Sequence, residues 1–187
     1  MERHDWITRE LMSLSWYAHY LLEAISDPEL NPGARSQAVA AAKYLVEWED
    51  LIPDTDPLFG YVDDLFVVLF GLEQLMKLGG REAMAKYGPK PLPGNIPLDQ
   101  KLKEAKENFN SFWGWIVREV GAGFQEIQRA LRKDDSAVAT LKTMLQNYIQ
   151  AAGQRPVHPI DAASLDNFLR SKSQRTGSST RNRRVSQ

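Results

Sequence analysis

Apolar residues recur at intervals of three and four along most of this chain, which is the spacing of one face of an α-helix. Between Trp6 and Ile25 they fall at Ile7, Leu11, Leu14, Ala18, Leu21 and Ile25, predicting an amphipathic first helix. The stretch DPELNPG interrupts it with two prolines and a glycine. A second helix is expected from about Ala34 to Asp50. Its run of small residues, Ala38 to Ala42, suits close approach to a neighbour, and Pro53 and Pro57 stop it. A third, from about Tyr61 to Leu78, is apolar nearly all round through LFVVLFGL and reads as a central buried helix ending at Gly79-Gly80.

After a short helix around REAMAKY, residues 88–97 form a proline- and glycine-rich elbow. Beyond it Leu102, Ala105, Phe109, Phe112, Ile116, Val120, Phe124, Ile127 and Leu131 predict one long helix. Val138, Leu141, Leu145, Tyr148 and Ile149 predict its partner in a helical hairpin, and Ile160, Leu165 and Phe168 a short last helix. With no credible strand run, the fold class is all-α. The expected division is a helical unit over residues 1–87, the elbow, a hairpin plus short helix over 98–169, and a disordered basic tail over 170–187.

Composition narrows the function classes. The 187 residues contain no cysteine, so disulfides, thiolate zinc sites and cysteine nucleophiles are excluded, which fits a cytoplasmic protein. The N-terminal segment lacks the uninterrupted apolar run of a secretory signal. A membrane span needs about 20 largely apolar residues, whereas Leu65 to Leu72 is flanked by Asp63, Asp64 and Glu73. Charge is unevenly placed. Residues 1–169 carry 17 cations against 24 acids, while six cations and no acid follow. Anionic lipid or nucleic acid is therefore expected to meet only the tail, with peripheral membrane attachment as one alternative.

The densest chemistry lies between Tyr44 and Met76, where eight carboxylates occur without a lysine or arginine. The order YLVEWEDLIPDTDPLFGYVDD resembles the signature of the YkvA-like family, a helical domain of unknown function. The resemblance rests on Tyr44, Asp50, Leu51, Ile52, Pro53, Asp54, Pro57, Gly60, Tyr61, Asp63 and Asp64, and covers about residues 38–76. It implies a helical fold and supplies no enzymatic mechanism. This copy departs by having Glu47-Trp48-Glu49 in place of Ser-Pro-Ile, and Asp56 where an apolar residue is usual, making it more acidic.

Two readings of these acids follow. Asp63 and Asp64 stand in the first turn of the third helix, where the helix dipole favours each anion by about 0.3–1 kcal/mol. Glu47, Glu49 and Asp50 stand at the C-terminal end of the second, where the dipole disfavours them. Those require a cation from Lys101, Lys103, Lys106 or Arg118, from a partner, or from a divalent ion. The first reading is a non-catalytic interaction module in which Glu47, Glu49, Asp50, Asp54 and Asp56 meet a partner's basic surface. Trp115 serves as an exposed aromatic contact, and the hairpin as a face for self-association. No cofactor is expected. The alternative is a magnesium- or calcium-dependent hydrolase with Asp50, Asp54, Asp63 and Asp64 as hard oxygen ligands. The spacing does not match an EF-hand loop. His4, His19 and His158 are scattered and receive no role.

Overall fold

In a computed structural model, residues 1–47, 51–53, 56–87, 97–131 and 135–174 are described. Among them are eight helices and no strand: α1 Arg3–Met12, α2 Leu14–Ser26, α3 Pro32–Glu47, α4 Val62–Tyr87, α5 Leu98–Asn108, α6 Asn110–Leu131, α7 Asp135–Gln154 and α8 Ala162–Gln174. The all-α expectation holds. No described helix is long and apolar enough to cross a membrane.

Several boundaries differ from the periodicity, each for a local reason. The expected first helix is two, divided at Ser13, whose hydroxyl bonds back to the Arg9 carbonyl oxygen (3.3 Å) and so competes with the helical ladder. The expected long helix after the elbow is also two. Phe109, flanked by Asn108 and Asn110, leaves helical geometry (φ −130°, ψ 33°), and its ring packs 5.2 Å from that of Trp6 and 5.4 Å from that of Phe66. The central helix runs on past Gly79, but Gly80 has φ 61° and ψ −148°, so α4 is two helical pieces meeting at a kink that only glycine adopts without strain. At α3, Pro32 occupies the first turn, and the Asn31 side chain caps it by accepting the Gly33 and Ala34 N–H groups (2.8 and 3.3 Å). The segment expected to be unstructured from residue 170 begins as helix, since α8 continues to Gln174; residues 175–187 lie outside the described set.

The core is built around α4. Leu65, Phe66, Val67, Val68, Leu69 and Leu72 are all fully buried, which is why that sequence shows no polar face. Its closest neighbour is α3, and the small residues explain the approach. A Cβ on Gly71 would stand 2.4 Å from the Ala41 Cβ. The contact therefore requires glycine on one helix against alanine on the other. α6 and α7, expected to pair with each other, both pack chiefly on the N-terminal helices, α6 on α3 and α4 and α7 on α2 and α3. Phe66 meets Phe109, Phe112 and Trp113 edge-on, so aromatic packing joins residues on both sides of the elbow in one hydrophobic cluster.

Candidate functional site

The described residues between Tyr44 and Asp64 are anchored from inside. Tyr44, on the last turns of α3, is buried, and its hydroxyl donates to Asp63 Oδ2 (3.0 Å). The Ile52 N–H donates to that same oxygen (3.1 Å), while the Leu51 N–H donates to the Tyr44 hydroxyl oxygen (3.3 Å). Tyr44, Leu51, Ile52 and Asp63 thus close a hydrogen-bonded ring that ties the end of α3 and residues 51 and 52 to the start of α4. Asp64 turns another way and accepts the Tyr148 hydroxyl of α7 (2.6 Å). Burial, then the charge of Asp63, raises the pKa of the Tyr44 hydroxyl far above the ordinary tyrosine range, so it remains a donor.

Asp56 is spent differently. Its Oδ1 accepts the N–H groups of Leu58 and Phe59 (2.9 Å each), and Gly60 N–H returns to its carbonyl oxygen (3.1 Å). With Pro57 fixing the next φ, this is an Asx turn leading into α4. Of the other expected partner-binding acids, Glu47 is the last residue of α3, and Glu49, Asp50 and Asp54 lie outside the described residues. Of the expected metal ligands, Asp50 and Asp54 are likewise outside. Asp63 and Asp64 are 0% and 3% exposed and serve the tyrosines. No group of three acidic or histidine side chains that could hold a metal ion occurs among the described residues.

Two expectations are corrected. Trp115 is not an exposed contact: it is 8% exposed, packs 5.2 Å from Phe112, and is covered by α8, whose Lys172 ammonium lies 5.4 Å above its ring. The buried face of α6 is simply wider than a three-four stripe, because α8 packs along its flank. Three of the four cations expected to answer the acids at the end of α3 have acid partners elsewhere. Lys101 binds Glu10 (2.8 Å), Lys103 approaches Glu107 (3.9 Å), and Lys106 pairs with Glu73. Burial raises the pKa of Glu73, but the bonds from Lys106 and Lys77 outweigh it and hold that carboxyl below its ordinary range.

The Glu10–Lys101 pair was not foreseen. Both side chains are wholly buried. Glu10 also accepts the Tyr17 hydroxyl on Oε2 and the Arg9 Nε–H on Oε1 (2.8 Å), and Lys101 lies 5.7 Å from the Tyr17 ring centre. The Trp6 indole N–H reaches Glu104 (3.0 Å) beside them. The cluster fastens α5 to α1 and α2. A signal was available, since Glu10 falls on the Ile7–Leu11–Leu14 stripe and Lys101 on that of Leu98, Leu102 and Ala105; a charge on an apolar face anticipates a buried partner.

A second unforeseen residue is Arg155, just after α7. Its guanidinium carbon lies 4.1 Å from the Tyr61 ring centre and 5.1 Å from that of Tyr148. Nothing in its local sequence announces this. The position depends on the end of α7 meeting the turn before α4.

No curated protein and no solved structure matches the chain. Residues 34–70, which include Tyr44, the turn and both buried aspartates, match the family model described as "Protein of unknown function (DUF1232)".

Proposed function

We propose that the chain is a non-catalytic interaction module that presents the acidic segment between α3 and α4 to a basic surface on a protein partner. The observation that carries this reading is the division of labour among the carboxylates. Asp63 and Asp64 are consumed internally as acceptors for Tyr44, Ile52 and Tyr148, and Asp56 shapes the turn. Glu47 closes α3, Glu49, Asp50 and Asp54 follow within seven positions in sequence, and no lysine or arginine occurs anywhere from Tyr44 to Met76. The described residues beside these acids are fixed, Ile52 by Asp63 and the turn by Asp56, and a fixed flank lowers the ordering cost of recognition.

Fluorescence anisotropy with a labelled octalysine peptide tests the reading. Wild-type protein is expected to bind with an affinity that falls steeply with salt. Glu47→Lys combined with Glu49→Lys should weaken binding at least about tenfold, as expected when two attractive charges become repulsive. Asp56→Asn, which keeps the turn acceptor, should have a smaller effect. Equal binding by wild type and the double reversal would overturn the proposal.

A further inference from the structure

The end of α4 is folded back on itself by two neighbouring glycines that act in different ways. Gly80 takes φ 61° and ψ −148°, a conformation essentially reserved for glycine. A Cβ placed there would meet nothing within 4 Å, so the requirement is one of backbone angle. At Gly79 the requirement is space. A Cβ there would stand 2.4 Å from the Ala83 Cβ, whereas residues four apart on an unbroken helix keep their Cβ atoms about 5–6 Å apart. Residues 81–87 therefore form an arm that lies back across Gly79, with Ala83 buried.

The polar contact that holds the arm is a weak one. Lys86 Nζ meets Asp27 Oδ2 at the C-cap of α2 (2.7 Å), but the lysine side chain is 53% exposed, so the pair contributes little and is screened by salt. Turning Gly80 to ordinary helical angles would join Val62–Tyr87 into one unbroken helix and complete the backbone ladder across the kink. The rest of the chain permits this. α5 stays fastened through Lys101 and Glu10, and the nine residues 88–96 can span up to about 30 Å when extended.

We infer that residues 81–87 are a hinged arm with two positions: kinked and latched on Asp27, or straight and continuous with the rest of α4. The kinked position gains the burial of Ala83 and one exposed ion pair, and the straight position gains helical hydrogen bonds, so the two are closely balanced. Straightening uncovers Leu30, 8% exposed in the cleft between the end of α2 and the arm. This happens at the corner where Leu78, already 50% exposed, lies over the start of α3. The arm is thus a switch that hides or presents an apolar corner, and it works independently of the acidic segment.

The chain has no cysteine, so spin labels on Ser26→Cys and Ala85→Cys, both exposed, report the distance across the latch in the full-length protein by electron paramagnetic resonance. With no further substitution the short separation should dominate. Gly79→Ala removes the space and Gly80→Ala disfavours the positive φ, so each should make a longer separation the main one, displaced by about 10 Å, the length of seven helical residues. Amide exchange should show residues 81–87 still protected in both, because alanine favours the helix. Lys86→Ala alters an exposed side chain and leaves the core untouched. It should raise the longer population by about twofold or more, the scale of a surface ion pair, and molar salt should act in the same direction. A single unchanged separation in all three variants would overturn the inference. So would loss of amide protection over residues 81–87 in the glycine variants, which marks unravelling instead of straightening.

Discussion

Glu10 and Asp63 are both fully buried carboxylates, yet the molecule accommodates them by opposite means. Glu10 is met by cations, with Lys101 arriving from 91 residues away and Arg9 from the adjacent position. Asp63 is met by dipoles, the Tyr44 hydroxyl and the Ile52 N–H, both contributed by the segment just before it. The first arrangement joins distant parts of the chain, and its strength depends on tertiary assembly. The second is nearly self-contained within the family-matched residues 34–70. Burying a charge demands compensation in either case, but an ion pair must desolvate two charges where hydrogen-bonded dipoles desolvate one.

The sharpest way to break this contrast is to remove one partner from each site. Lys101→Met should leave Glu10 charged and buried without its principal cation and lower stability by about 3–5 kcal/mol. Urea unfolding measures this. The double variant Glu10→Met with Lys101→Met should recover most of the loss, since a well-packed apolar pair can replace a buried ion pair. Failure to recover would mean that Tyr17 and Arg9, not the lysine, are the groups that depend on Glu10.

At the other site, Asp63→Asn keeps an oxygen acceptor but removes the charge. A loss of about 1–2 kcal/mol is expected, the scale of weakened hydrogen bonds to a charged acceptor. A loss as large as that for Lys101→Met would erase the distinction between the two sites.

Alkaline titration compares the two tyrosines. Tyr17 and Tyr44 both have raised pKa values, from burial first and then from the facing carboxylates Glu10 and Asp63. The folded protein therefore retains protons that the unfolded chain releases near pH 10. Their contribution is fully present below that value and is lost as pH rises further through the folded pKa. Stability should fall above about pH 10, and Tyr17→Phe and Tyr44→Phe should each flatten that decline. A decline unchanged in both variants would place the alkaline sensitivity elsewhere. The smallest expected effect concerns divalent ions. Magnesium or calcium should leave the melting temperature unchanged, because Asp63 and Asp64 are engaged by tyrosines; a rise that Asp63→Asn abolishes would revive a metal role.

How much was legible in the sequence varies with the range of the interaction involved. The helical periods, the central buried helix and the close approach of α3 to some neighbour follow from residue spacing and small side chains, which are local properties; that the neighbour is α4 came from the fold. The breaks at Ser13 and Phe109 were hidden because the apolar stripes carry on across them. The positions of Asp63 and Asp64 in a first helical turn were readable, but the Tyr148 bond was not, since α7 lies 84 residues away in sequence. Trp115 was misread as exposed for the same reason: the helix that covers it is specified elsewhere in the chain.

By itself, then, the amino-acid order determined that the chain is helical, which stripes turn inward, and that one short segment gathers acids without cations. Only the tertiary structure decided which of those acids are used up inside, that Lys101 belongs to Glu10, and that Arg155 comes to rest against Tyr61 and Tyr148. Helix formation is governed by neighbours three and four positions apart, whereas the pairing of buried charges depends on which distant surfaces meet and how much water they exclude.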